Sequence, residues 1–452
     1  MPTFLSLNPL CADVEADTGR VRINERHETR GFSAARGTSR LRKSMRNKQI
    51  RAVSSPVAMA VAVILALLPK AGALAQATPS EASAAPEAAA EAPTAMTTPS
   101  MAGPLVANPE PARFDMGSLG TWYVTGAVTG LGLWQDNHVP GDRQALSDLS
   151  NGQVFVQKTS GELQFFLEVG AYSLPSLGTP YLAAHDAISA FYGVLPTAFI
   201  KYAPSDSFNV IAGKLPTLVG AENTYTFENM NIERGLLWNQ ENAVNRGVQA
   251  NYISGAITAS VWVNDGFYSN RYNWLWGSLA YVIDKADTLS VIVGGNTDQT
   301  TKASTATPLL QNNSQIVNVI YTRTAGAWTI TPYLQYTNVP RNTDIGIAHS
   351  ASTYGGAVLA SYAVDSNFSL AGRAEYIGSS GNAVTGAPNL LYGPGSNAWS
   401  VTFTPTYQYK LLFIRGELSY VKATGTTPGY AFGADFSKTS QSRVMLEAGI
   451  LF

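Results

Sequence analysis

The last eleven residues, Ser442-Arg-Val-Met-Leu-Glu-Ala-Gly-Ile-Leu-Phe452, constrain the fold more than any other stretch of the chain. At the two-residue period of a strand, Val444, Leu446, Ala448, Ile450 and Phe452 share one face, and Arg443, Met445, Glu447, Gly449 and Leu451 share the other. The first face suits lipid and the second suits water. In hydrocarbon each unpaired backbone donor costs several kcal/mol, so strands that meet lipid must close on themselves without an open edge. The pattern predicts an all-β chain folded as a transmembrane antiparallel β-barrel.

A terminal aromatic resembles the signal by which outer-membrane barrels are recognised for insertion. Phe452 is therefore the expected insertion signal, and the barrel-assembly machinery an expected partner through the C-terminal strand. The other end of the chain agrees. Met45-Arg-Asn-Lys-Gln-Ile-Arg51 is a basic n-region, residues 57–68 are apolar and uncharged, and Ala73-Leu-Ala75 places small residues ahead of Gln76. Residues 45–75 thus read as a Sec signal peptide cleaved after Ala75, with an apolar run well short of the roughly 20 residues of a spanning helix. Residues 1–44 are polar and Arg-rich without period, and read as an upstream segment left by a translation start placed too early.

Of the 30 basic and 31 acidic residues, 12 and 5 precede residue 76, which leaves the remainder at a net charge of −8 and excludes a nucleic-acid partner. The single cysteine, Cys11, also precedes residue 76, so the exported chain has no thiol or disulfide, as suits passage through an oxidising periplasm. A mean hydropathy of −0.01 with 13% charged residues is too polar for a helical membrane protein and low in charge for a soluble one. A barrel occupies that middle ground, because only alternate residues meet lipid.

From Gln76 to about residue 113 the chain is rich in Ala, Pro, Thr, Glu and Ser, and reads as a disordered periplasmic linker before a barrel at 114–452. Alternating segments then follow at 121–134, 152–158, 162–173, 194–203, 207–214, 245–253, 256–264, 273–283 and 287–296. The series continues at 314–323, 327–337, 352–363, 367–377, 398–409, 411–422 and 442–452. Connections alternate short and long, which predicts about 16 strands with short periplasmic turns and long external loops, in the outer membrane of a Gram-negative bacterium. A barrel of that size is too wide for side chains to fill, and leaves a water-filled lumen unless loops plug it.

Charge falls on the polar face of the strands, making Lys201, Arg246, Arg323, Arg373, Glu375, Arg415, Glu417, Arg443 and Glu447 the candidate pore-lining residues. Arg373 with Glu375, and Arg415 with Glu417, are i, i+2 neighbours spaced to pair or to form facing rows. Trp122, Tyr202, Tyr252, Trp274, Trp328, Tyr336, Trp399, Tyr407 and Tyr420 lie near strand ends, where aromatic girdles meet the headgroups. The longest interruption, 215–244, holds Glu222, Glu228, Glu233, Arg234 and Glu241 beside Tyr225, Phe227 and Trp238, too apolar and too charged together for a loop lying free in water. Folded into the lumen it would form an acidic constriction facing Arg246 or Arg373; the alternative is an external loop packed on its neighbours.

The run Asn209-Val-Ile-Ala-Gly-Lys-Leu-Pro-Thr-Leu-Val-Gly-Ala-Glu222, then Asn229-Met-Asn231 and Asn245-Arg-Gly-Val-Gln-Ala-Asn-Tyr252, resembles the OmpL-like beta-barrel porin family. Gly213, Lys214, Thr217, Gly220, Glu222, Gly247, Val248 and Tyr252 carry the resemblance, and Asn245-Arg departs from its pattern before Gly247. The family implies a general outer-membrane porin without a defined substrate; the wet lumen itself leads to the expectation of passive diffusion of small hydrophilic solutes, without cofactor. The competing expectation is a plugged structural or adhesive barrel. Catalysis and metal binding are not expected, because the exported chain has only His138, His185 and His349, all in expected loops and none in a catalytic or ligand spacing. The expected partners are outer-membrane lipid and the solutes; wide barrels often associate, so a homotrimer is compatible, though no sequence feature specifies it.

Overall fold

A computed structural model describes residues 101–382 and 384–452. The upstream segment, the signal peptide, Cys11 and the linker as far as residue 100 lie outside the described residues. Among the described residues seventeen strands form one sheet: β1 (Ala112–Asp115), β2 (Thr121–Gln135), β3 (Ala145–Lys158), β4 (Leu163–Tyr172), β5 (Ala198–Ser205), β6 (Phe208–Pro216), β7 (Val244–Ser254), β8 (Ile257–Asn264) and β9 (Trp274–Val282) make the first half. The second half is β10 (Asp287–Asn296), β11 (Gln315–Ala325), β12 (Trp328–Val339), β13 (Ala351–Ala363), β14 (Phe368–Ser379), β15 (Asn397–Tyr409), β16 (Leu412–Thr424) and β17 (Ser440–Leu451). Each strand from β2 to β17 pairs antiparallel with its successor. β17 returns to β2 in register from Arg443↔Gln135 to Leu451↔Ala127. This is a closed barrel of sixteen strands. β1 is an extra short strand that pairs with β2 below the end of β17.

The alternation specifies the two faces. On β17, Val444 and Leu446 are 44% and 55% exposed toward lipid, whereas Arg443, Met445 and Glu447 are buried inside. Rings on the outer face gather near the strand ends: Tyr202, Trp328 and Tyr407 toward the short turns, Tyr336, Tyr376 and Trp399 toward the long loops. Trp274, expected in a girdle, instead points inward. It stacks on Trp276 at 5.1 Å, and Trp276 stacks on Trp262 at 5.5 Å. The parity of β9 sets this, since Trp274 and Trp276 share one face and Leu275 takes the other.

The expected strand at 152–158 starts earlier, at Ala145, and carries an irregularity opposite Thr129 and Gly130. The linker expected to extend to about residue 113 is ordered from 101 onward. Leu105 is only 2% exposed within an apolar cluster, and β1 follows. Among the described residues no helix is long and apolar enough to cross a membrane.

Closure brings the chain terminus onto the first full strand. Phe452 exchanges both backbone hydrogen bonds with Gly126, at 2.8 and 2.9 Å. A Cβ on Gly126 would lie 2.4 Å from the Phe452 ring, so the terminal aromatic has its seat only because that position is glycine. Gly126→Val should therefore unseat Phe452 and weaken the closing seam by about 1–3 kcal/mol, the range for overpacking. A lower fraction of heat-modifiable folded barrel on cold gel electrophoresis is the expected readout, and a wild-type fraction would refute the seat.

Candidate lumen site

The 217–243 connection leaves the top of β6, enters the barrel and returns to β7. Its residues Glu222, Glu228, Glu233, Arg234 and Glu241 are all less than a tenth exposed, as are Tyr225, Phe227, Met230, Ile232, Leu236 and Leu237. This is the inserted arrangement, not the external one. Rings hold one side of it: Phe227 lies 6.1 Å from Phe155 of β3, and Tyr225 lies 5.3 Å from Tyr172 of β4. Charges hold the other side.

That second contact is a lattice of carboxylates and guanidinium groups. Arg373 Nη1 on β14 donates to Glu222 Oε1 at 2.6 Å and to the Glu233 carbonyl at 2.6 Å. Its Nε lies 3.2 Å from Glu375 on the same strand. The Glu375 carboxylate in turn accepts from the Leu236 N–H at 3.0 Å and from the Ser400 hydroxyl at 2.8 Å. On β16, Glu417 accepts the N–H groups of Ile232 and Glu233 at 2.5 and 3.1 Å. Arg443 of β17 donates to Glu233 at 2.5 Å. Arg415 pairs with Glu447 at 2.6 Å and donates to the Asn229 carbonyl, while Glu447 accepts from the Thr226 hydroxyl at 2.6 Å. Every wall charge in this lattice is engaged by the loop, by a neighbouring strand or by both.

A second connection, 173–183, was not expected in the lumen. Its backbone forms a parallel bridge with the loop, Ser176 to Arg234. The Leu177 N–H donates to the Arg234 carbonyl at 2.9 Å, and Arg443 donates to the carbonyls of Ser176 and Thr179. The apolar Leu174, Leu177, Tyr181 and Leu182, with no charge in the segment, are the signal that could have revealed it.

The sequence-derived wall residues divide in two. Arg373, Glu375, Arg415, Glu417, Arg443 and Glu447 gather on the inner face under the loop, and Lys201 lies half-buried on the inner face of β5. Arg246 and Arg323, expected inside, are on the outer face. Arg246 shares the parity of Val248, which is 51% exposed, and pairs with Asp265 at 2.7 Å beneath the Tyr268 ring at the upper rim. Arg323 shares the parity of Val319 and pairs with Asp287 at 2.7 Å at the lower rim. Beyond the hydrocarbon band an outward charge meets headgroups and water, so neither position is penalised. Arg246 does not face the loop, and the carboxylates of Glu222 and Glu233 face arginines instead of open water.

Two loop carboxyls differ from these. Among the described residues neither oxygen of Glu241 has a hydrogen-bond partner, and Glu228 accepts the Tyr225 N–H at 2.8 Å on one oxygen while the other has none. Burial pushes both carboxyls well above the ordinary 4.5. Burial lowers the Arg234 guanidinium to about 10 despite Glu222, Glu228 and Glu233 around it, and its plane lies 4.9 Å from the Trp238 ring.

Water reaches the inner wall chiefly on the opposite side. Lys201, Ile211, Ser290, Ile320 and Thr322 are half-buried there, in the lower halves of β5, β6, β10 and β11. Nearby, Gln249 donates to Asn251 at 2.7 Å, Asn251 donates to Asn209 at 2.7 Å, and Ser260 donates to Asn251 at 2.6 Å, a neutral amide row across β6 to β8.

A family model described as "Putative beta-barrel porin-2, OmpL-like" matches residues 121–452. Among solved structures, the anion-selective porin from Comamonas acidovorans is similar at 12% identity and a TM-score of 0.51, over 73% of this chain and 99% of that one. The outer membrane channel DcaP of Acinetobacter baumannii is similar at 11% identity and a TM-score of 0.50, over 73% of this chain and 97% of that one. At these identities the two structures speak to the fold alone. No curated protein matches the sequence.

Two predictions follow from the lattice. Arg415→Met leaves the Glu447 carboxylate buried beside a thioether and should cost about 3–5 kcal/mol, whereas Arg415→Met with Glu447→Met should restore most of that loss. Urea unfolding in detergent micelles would reveal a merely additive pair, which would refute the coupling. For Glu241 the folded-state pKa is raised, so its contribution to stability is complete below pH 4.5 and declines as pH rises toward the folded value. Glu241→Gln should remove up to about 1.4 kcal/mol per pH unit of that decline; an unchanged pH profile of the urea midpoint would count against it.

Proposed function

The chain belongs to the OmpL-like beta-barrel porin family and is an outer-membrane porin, and from that premise we propose that small hydrophilic solutes diffuse through a lumen narrowed by the 217–243 loop. The observation that carries this reading is the inserted loop itself, pinned across a closed sixteen-strand wall. The lattice removes the wall charges of β14, β16 and β17 from the water path. Solutes then pass along the β5–β11 side, where the groups they meet are amides, hydroxyls and Lys201.

A weak cation preference follows from the balance of buried charge. Inside the wall and loop, Glu168, Glu222, Glu228, Glu233, Glu241, Glu375, Glu417 and Glu447 stand against Arg234, Arg373, Arg415 and Arg443. Burial disfavours the charged form of Glu228 and Glu241, which keeps the field modest.

We further propose that the chain is exported by the Sec pathway, is inserted through recognition of β17 and Phe452, and associates as a homotrimer through its shortest wall. That wall runs from β5 to β9, where β5 and β8 have 8 residues each and β6 and β9 have 9. At roughly 3.3 Å per residue and a tilt near 40°, β5 spans about 20 Å against an apolar band of about 25 Å, so another copy would complete the cover.

Purified protein in a planar bilayer should give stable ohmic steps, with a reversal potential in a salt gradient of cation-selective sign. Lys201→Glu should strengthen that preference by about twofold, the scale of one charge near a narrow path, and Arg323→Glu, on the outer face, should leave it unchanged. A folded but silent barrel would move the weight to a plugged structural or adhesive role.

A further inference from the structure

Residues 101–109 read Met-Ala-Gly-Pro-Leu-Val-Ala-Asn-Pro, with no charge among them. Such a segment can lie against a protein interior without desolvating an ion, and Pro104 and Pro109 each remove a backbone donor that would need a partner. The structure places it across the short-turn mouth of the barrel, at the opposite end from the long loops. It meets two sites there that are far away in sequence.

The first is the underside of the lumen loop. The Ala102 and Gly103 N–H groups both donate to the Glu228 carbonyl, at 2.8 and 3.1 Å. A Cβ on Gly103 would lie 2.2 Å from the Asn229 carbonyl oxygen, so this approach is open to glycine alone. The second is the β15–β16 turn. The Val106 N–H donates to Gln408 Oε1 at 2.8 Å, and Gln408 Nε2 returns a bond to the Val106 carbonyl at 2.8 Å. Between them Leu105 is 2% exposed, packed in the cluster that includes Ala127, Phe155, Phe413 and Leu451. Beside the segment a cavity of about 580 Å³ opens among the turns, lined by Ala102, Val106, Ala327, Asn367, Phe368 and Gln408.

From this geometry we propose that residues 101–109 are a periplasmic strap that docks on the lumen loop and restricts the channel from below. The proposal rests on the porin reading above. The strap touches the loop at Glu228 and Asn229, next to the carbonyl that Arg415 holds, so it reinforces the level at which the loop is already clamped. Its release joins the cavity among the turns to the lower lumen. Every anchor is a backbone hydrogen bond, an amide pair or an apolar contact.

The test compares single-channel conductance of the full exported chain with that of a variant lacking residues 101–109, and with Gly103→Val and Gln408→Leu. Folding of each is checked first by heat modifiability. The deletion should raise mean conductance at least twofold. Both substitutions should raise it or make it fluctuate between two levels. A synthetic peptide of the 101–109 sequence, added at millimolar concentration, should restore the low level in the deletion variant from the periplasmic side only. Folded variants that conduct like the wild type, or block by peptide from both sides equally, overturn the strap while leaving the porin reading intact. Silence of both wild type and deletion variant overturns the porin reading, and the strap with it.

Discussion

Hydrocarbon offers the backbone no hydrogen-bond partner, and the return of β17 to β2 is what removes the last pair of open edges from this sheet. Much else in the molecule is a consequence of that closure. Sixteen strands enclose more space than their inward side chains can fill, so the inner face needs a second layer. The chain supplies it from its own connections, 173–183 and 217–243, and from the segment before β1. The wall is thus regular and local in its contacts, and the filling is irregular and non-local.

The filling is held by two kinds of contact with different physical roles. Toward β3 and β4 the loop packs rings on rings, a contact that tolerates small shifts. Toward β14–β17 it places Glu222 and Glu233 against guanidinium groups and its own N–H groups against Glu375 and Glu417, a contact that does not. Burying such pairs contributes little net stability, because desolvation offsets most of the Coulomb attraction. Their value here is positional. A one-residue slip of the loop would strand Glu417 without the Ile232 and Glu233 donors and Arg373 without Glu222. The lattice therefore specifies one seat for a chain segment that lacks regular secondary structure of its own.

Period-two alternation made the wall legible from sequence, including the inward parity of Arg373, Glu375, Arg415, Glu417, Arg443 and Glu447. The rule failed where its physics ends. Arg246 and Arg323 sit beyond the hydrocarbon band, where an outward charge is no longer costly, so charge stopped reporting the face. Trp274 failed for the converse reason: an aromatic near a strand end suits either a headgroup or an internal stack, and only the register with Trp262 and Trp276 decides. The packing of residues 101–113 was invisible because their apolar residues, Met101, Leu105 and Val106, lie among Ala, Gly and Pro with no strand or helix period. The segment is ordered by a mouth assembled from Glu228, Phe413 and Gln408, positions 120 or more residues away. The pairing partners inside the lumen were hidden in the same way, since Glu222 and Arg373 are 151 residues apart.

The two sides of the loop then divide the lumen by chemistry. On the clamped side, charge is concentrated but spent on the loop, and it reaches a solute only as a field. On the other side, Asn209, Gln249, Asn251 and Ser260 bond one another in a neutral row, and Thr322 and Lys201 are half-buried on the same inner face. Neutral amides and hydroxyls can replace part of the hydration shell of a polar solute and hold none of them strongly, which is what passive conduction requires. A path of that kind discriminates by size more than by charge. The width of the gap left by the loop and the strap, more than the identity of any lining group, is accordingly the quantity that sets what passes.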